Sequence, residues 1–178
     1  MGNPATCTDN LGNAIPFGSP LALDFVDGTA TCSMTIYKVG AHHIDVNDGS
    51  YNSLGSAAYG LNVTVSGGTT AGVLYSTLSA NKTAAFVGET INAVVTLYDD
   101  YGNQITTGSA TVTMNVTGAN PQTLTVTNVG NGTYTTSYVP AVSGTDAIHG
   151  TVNGGAAMND TDGVPDGVFR VAVSAGPA

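Results

Sequence analysis

Tryptophan is absent from this 178-residue chain, lysine and arginine together number three, and charged residues make up only 8%. Against twelve acidic residues, so few cations leave a net charge of −9. A surface of that sign repels phosphate backbones and anionic headgroups, which excludes nucleic acid and membrane surfaces as partners. No stretch approaches the roughly 20 consecutive apolar residues of a spanning helix, so membrane insertion is not expected. No apolar core of a signal peptide follows Met1, and any export signal is expected outside these residues. The opening Met1 to Thr6 fits the loose pattern for N-myristoylation at Gly2, and equally a start codon placed on a fragment. Only two cysteines occur, with no second Cys/His pair at zinc spacing. There is no Gly-x-Ser-x-Gly elbow and no serine placed with a histidine and an acid, so the chain offers no foothold for hydrolysis and is read as a non-enzyme without a required cofactor.

What is abundant is strand chemistry. Apolar residues reach 42%, and solubility rests on Thr, Ser, Asn and Gly, a composition suited to an extracellular or cell-surface protein. In Ile91–Leu97 the alternation puts Ile91, Ala93, Val95 and Leu97 on one face. The turn Asp99-Asp100-Tyr101-Gly102-Asn103 follows. Thr111–Thr117 then sends Val112, Met114 and Val116 inward. Asn131-Gly132 has the composition of a two-residue hairpin turn, leading into a strand whose Tyr134, Thr136 and Tyr138 share a face. Further strands are expected near Ala147–Val152 and Val168–Val173, with a loop from Asn153 to Asp166 between them. Short strands at this spacing predict an all-β sandwich.

An internal repeat sets the domain count. Asp9-Asn10-Leu11-Gly12-Asn13 aligns with Asp99–Asn103, Gly28-Thr29 with Gly132-Thr133, and Gly40 with Gly144. Leu61, Val63 and Val65 align with Phe169, Val171 and Val173. The expectation is two immunoglobulin-like antiparallel sandwiches in tandem, residues 1–70 and 71–178, the first lacking counterparts to Leu78–Ile91 and so its opening strand.

These residues carry a family resemblance. Asp99-x-Tyr-Gly-Asn, Gly132-Thr-Tyr134, Tyr138-x-Pro140 and Gly144 resemble filamin-type immunoglobulin repeats. Ser76–Ser79 leading to Val87-Gly88-Glu89, with Val152-Asn-Gly154, is similar to the repeats of bacterial invasin-type adhesins. The resemblance covers the second copy nearly throughout and the first from Asp9. It departs where Ala30 and Met34 replace the two tyrosines, and where Val164-Pro-Asp-Gly-Val-Phe169 replaces a Ser-Pro-Phe, so it does not imply a filamin-like partner groove. Cys7 aligns with inward Leu97 and Cys32 with inward Thr136. If their strands are the second and sixth, the pair matches the disulfide that joins the two sheets of antibody-type domains, contributing about 3 kcal/mol. Two buried free thiols are the alternative in a reducing compartment.

Other candidates are weighed against plainer readings. Asn62, Asn81, Asn115, Asn131 and Asn159 head Asn-x-Ser/Thr sequons, which permit glycans and also arise by chance in a Thr-rich chain. Asp160, Asp162 and Asp166 concentrate oxygen donors, either as a calcium loop or as a solvated run of turn formers without the EF-hand's glutamate. Asp45, Asn47 and Asp48 form a thinner version. His42 and His43 are adjacent on a strand and face opposite ways, so they cannot share a metal, and His149 stands alone. Lys38 and Lys82 are read as exposed rather than as isopeptide donors. Tyr51, Tyr59, Tyr75, Tyr98 and Tyr101 fall outside the expected core and are the residues of a glycan- or protein-binding alternative. The leading expectation is a structural spacer or filament unit whose partners are neighbouring repeats or other copies of itself. Its incomplete first copy invites a strand from another chain.

Overall fold

The computed structural model describes residues 4–54, 59–72, 75–155, 159–164 and 166–176. It divides into two compact units, Met1–Ser66 and Gly67–Ala178. Residues 67–72 go with the second because the Gly72 amide donates to the Tyr98 carbonyl at 2.7 Å and Gly68 lies against Asp99. Among the described residues every regular element is a strand.

The first unit holds β1 (Thr6–Thr8), β2 (Ala14–Pro16), β3 (Met34–Thr35), β4 (Gly40–Ile44) and β5 (Leu61–Val65). They form a three-stranded sheet ordered β2-β1-β3 and an antiparallel pair β4-β5. The second unit holds β6 (Thr77–Ala80), β7 (Ala84–Phe86), β8 (Ile91–Thr96), β9 (Val112–Gly118), β10 (Gln122–Leu124), β11 (Thr127–Gly130), β12 (Thr133–Tyr138), β13 (Gly144–Val152), β14 (Asn159–Asp160) and β15 (Val168–Ser174). Two five-stranded sheets, β10-β9-β13-β15-β7 and β11-β12-β8-β6-β14, make a complete sandwich.

Two pairings differ from the antiparallel expectation. The link Asn81–Thr83 carries the chain from one sheet to the other, and β7 meets β15 in parallel. Within the loop expected after Asn153, β14 adds a short parallel bridge to β6. Both lie at sheet edges, where a short strand can cover backbone groups without a long ladder.

The alternation read from the sequence is what fills the second core. Leu78, Ile91, Ala93, Val95 and Leu97 face Met114, Val116, Ile148, Val152, Phe169 and Val171, all at most 2% exposed. Each large side chain so buried contributes roughly 1.5–3 kcal/mol. Val112 is only partly buried at the rim.

The first unit repeats the turns of the second without its core. Asp27 and Asn131 both have φ 51°, and the glycines after them, Gly28 and Gly132, have φ 77° and 69°. The β4–β5 register runs Gly40↔Val65 to Ile44↔Leu61, as Gly144↔Val173 runs to Ile148↔Phe169. Yet the first copy passes from Gly18 to Asp27 where the second passes from Gly108 to Asn131, and the β9–β10 hairpin has no counterpart. This internal loss is the change in offset between the matched motifs, from 90 at Asp9/Asp99 to 104 at Gly28/Gly132, and so falls inside the first copy as well as at its start. Without those strands, Cys7 is the only buried apolar residue among the described residues of this unit.

Candidate functional site

The Asp-x-x-Gly-Asn turn has one geometry in both copies. Asp9 Oδ1 accepts from the amides of Leu11 and Asn13 at 2.9 and 2.7 Å. Asp99 Oδ1 accepts from Tyr101 and Asn103 at 2.9 Å each. The Asn13 side chain, and then its amide, hold the Asp9 carboxyl below its ordinary value. Burial pushes Asp99 up, but the amide and side chain of Asn103 outweigh it, so this carboxyl too sits low. The motif is structural: an aspartate folds back on the chain and fixes the exit of one strand.

Cys7 and Cys32 form a disulfide with Cα atoms 5.9 Å apart. It does not join two sheets, as expected from the antibody-type arrangement. Cys7 lies on β1, which is hydrogen-bonded to β3, and Cys32 lies just before β3. The bridge therefore spans neighbouring strands of one sheet. The equivalent strands of the second unit, β8 and β12, are likewise direct neighbours. For a loop whose ends are 25 residues apart, it contributes on the order of 3 kcal/mol, a large share for a unit with so little buried surface.

The acidic loop before β15 is wired to the protein's own donors. Asp160 Oδ2 accepts from the amides of Asp166 and Gly167 at 3.2 and 2.8 Å. Asp162 accepts from the Val164 and Arg170 amides, both at 2.9 Å. Asp166 pairs with the Arg170 guanidinium at 2.5 Å. The Val164 amide holds Asp162 low, and the hydrogen bond from Arg170 does the same for Asp166. Among the described residues no group of three His, Cys, Asp or Glu side chains is placed to hold a metal ion. These carboxylates shape turns and bind an arginine. Asp48 in the thinner cluster does the same, accepting from the amides of Ser50 and Tyr51 at 2.8 and 2.6 Å.

The remaining candidates separate. Within the sequons, Asn62 is exposed with Oδ1 2.8 Å from His43 Nδ1. Asn81 accepts from the Asn92 amide at 2.9 Å, and Asn131 occupies the β11–β12 turn. Asn115 lies inside a sheet between His149 and Thr123, and Asn159 opens β14 opposite Thr77. His42 and His43 do face opposite ways on β4; His43 Nε2 lies 3.3 Å from Asp45 and His42 Nε2 lies 2.7 Å from the Lys38 carbonyl. His149 Nε2 meets the Thr117 hydroxyl at 2.9 Å. Lys82 pairs with Glu89 at 3.2 Å, not with an asparagine. Tyr51 and Tyr59 stack edge to face with centroids 6.0 Å apart, and Tyr75 and Tyr101 are also exposed.

Sequence reasoning missed one polar cluster. Asp146, fully buried, accepts from the Asn120 amide at 2.9 Å and from the Tyr138 hydroxyl at 3.2 Å. Asn120 also accepts from the Ala141 and Val142 amides at 2.8 and 2.9 Å. Burial, and the carboxylate beside it, hold the Tyr138 phenol above its ordinary value. The signal was present: the strand period that turns Ile148 and Val152 inward turns Asp146 inward too. A cavity of about 560 Å³ beside β8 and β12 is lined chiefly by hydroxyls and amides, including Asn92, Gln122, Thr135 and Ser137, with no charged group.

These features define an all-β fold of immunoglobulin-like sandwich type. No family model and no curated protein matches the chain. Among solved structures, the Escherichia coli adhesin FdeC is similar over 99% of this chain and 53% of its own, at 18% identity and TM-score 0.52. The Yersinia pseudotuberculosis adhesin InvE aligns over 61% of this chain and 29% of its own, at 24% identity and TM-score 0.48. The Lin-41 filamin domain aligns over 62% of this chain and all of its own, at 22% identity and TM-score 0.46. The chain thus spans about half of the FdeC structure and under a third of the InvE structure.

Proposed function

We propose that this chain is a structural building unit of an extracellular surface protein, an adhesin stalk or filament, and that its first unit is completed by a strand from a neighbouring chain. One observation carries the reading. The first unit keeps the turns and the β4–β5 register of the second but not its core, and leaves Leu11, Phe25 and Val26 at 81%, 71% and 70% exposure. In the second unit, β13 has β9 along one edge and β15 along the other. Its counterpart β4 has only β5 among the described residues. An edge of this kind is suited to an added strand. The similarity to a structure described as an adhesin supports this role. Sedimentation velocity over a concentration series tests it: concentration-dependent association is expected, and a strictly monomeric folded species at the highest concentration would contradict it.

A second reading rests on the exposed Tyr51–Tyr59 pair, since paired aromatic faces are a common platform for glycan or protein ligands. Glycan-array binding lost on replacing Tyr51 and Tyr59 with alanine would favour that module over the spacer.

A further inference from the structure

The outward faces of the two sheets in the second unit are finished differently. On β9 and β13 polar side chains satisfy one another across the strands: the Thr113 and Thr151 hydroxyls are 2.6 Å apart, and the Thr117 hydroxyl is 2.9 Å from His149 Nε2. On β8 and β12 they do not. Asn92 and Val94 alternate with buried Ile91, Ala93 and Val95, and Thr135 and Ser137 with buried Tyr134, Thr136 and Tyr138, so all four face away from the core. Thr127 stands directly opposite Thr135, and Ser137 opposite Asn92. Yet no hydrogen bond joins the side chains of Asn92, Thr127, Thr135 or Ser137 to any of the described residues.

These side chains line the cavity of about 560 Å³, together with β10 and the segment that leads from it to β11. That segment is held in place: Leu124 before it is buried, and the Thr136 hydroxyl donates to the Thr125 carbonyl at 2.8 Å. The same crossover leaves a piece of strand edge uncovered. The Leu97 amide donates to the Gly132 carbonyl, and by the antiparallel alternation Tyr134, Thr136 and Tyr138 also turn their backbone groups to β8. Ser137 turns its own the other way. There β11 has ended, its last pair being Thr127↔Thr135, and the Ser137 N–H and C=O meet no partner among the described residues.

The size of this hollow falls within the roughly 300–1,000 Å³ of small-ligand sites. It offers amides and hydroxyls, which both donate and accept, and no charged side chain. An anion finds no lysine or arginine there, on a chain of net charge −9, and a cation finds no carboxylate. A single free residue of strand edge is too short for the main-chain ladder on which peptide-strand addition rests. A neutral ligand rich in hydroxyls meets all of these conditions, because each hydroxyl replaces a water as both donor and acceptor. We propose that this hollow is a binding site for a neutral glycan, held by the Asn92 side chain, the Ser137 backbone and the Thr127 and Thr135 hydroxyls. It lies wholly in the second unit and depends neither on strand addition at β4 nor on the Tyr51–Tyr59 pair.

Amide chemical-shift titration of the full chain tests this with maltose, lactose, mannobiose and chitobiose, and with sialyllactose as the anionic counterpart of lactose. At least one neutral disaccharide is expected to shift the Thr135 and Ser137 amides and the Asn92 side-chain amide, and sialyllactose is expected to bind no better than lactose. Thr127→Val with Thr135→Val keeps the shape of both side chains and removes their hydroxyls. It should weaken binding of that disaccharide about tenfold, whereas Tyr51→Ala with Tyr59→Ala should leave it unchanged. The unfolding transition of the second unit is the folding control for the threonine variant, and the shift map of the unsubstituted chain stands without it. Absence of shifts at these groups with every neutral disaccharide would overturn the inference. So would shifts confined to Tyr51 and Tyr59, tighter binding of sialyllactose than of lactose, or a Ser137 shift produced only by a capped Val-Thr-Val-Thr-Val peptide.

Discussion

Asp146 shows how much one residue can fix. Its carboxylate collects the Asn120 amide and the Tyr138 hydroxyl in a site closed to solvent, and Asn120 ties the same point to the segment after β12. Replacing it with alanine leaves those donors unpaired, at about 1–3 kcal/mol each. Asp146→Ala is therefore expected to lower the stability of the second unit by about 2–4 kcal/mol in denaturant unfolding. Asp9 and Asp99 act differently, as a half-buried and a buried cap whose folded pKa lies below the ordinary 3.8. A depressed carboxylate contributes stability that is complete above its unfolded pKa and is lost as pH falls through the folded one. Thermal unfolding should thus be flat from about pH 7 to 5 and decline below about pH 4, with a shallower decline in an Asp99→Asn variant. Both turn aspartates were legible as a repeated motif. Asp146 was legible only to a reader who followed the strand period through a charged residue, which hydrophobic patterning passes over. In the acidic loop composition shows oxygen donors but not their direction, and there Arg170 and the backbone amides engage them.

At the scale of elements, alternation located β8, β9, β12 and β15 because each buries one face, so sequence period and burial coincide. The short edge strands β7, β10, β11 and β14 have no such period to read. The disulfide pair was found, but its placement within one sheet was not, since that depends on which strands are neighbours. The two Asx-Gly turns, equal in conformation, are unequal in packing. A Cβ on Gly132 would meet the Ile105 carbonyl oxygen and touch Leu97, whereas one on Gly28 meets nothing. Gly28→Ala should cost only the left-handed backbone penalty of about 1–2 kcal/mol. Gly132→Ala adds a clash with fixed backbone and is expected to cost at least about 1 kcal/mol more, measured as the shift in each unit's unfolding transition.

At the scale of the molecule, two copies of one module differ in what they bury. The second unit closes two five-stranded sheets over a continuous apolar core. The first keeps the turns, a disulfide, a small three-stranded sheet and a two-stranded ladder, with apolar side chains uncovered. Chelator treatment should leave both transitions in place, because the acidic loop is satisfied from within the chain; a change in melting temperature with EDTA would refute that assignment. The proposal that the first unit receives a strand from another chain is tested most directly by residue-level hydrogen exchange at β4, followed over a range of protein concentrations. Strand addition along the open edge predicts that protection of the Gly40–Ile44 amides rises with concentration while protection of β8 and β13 stays constant. Protection at β4 that does not change with concentration would contradict it.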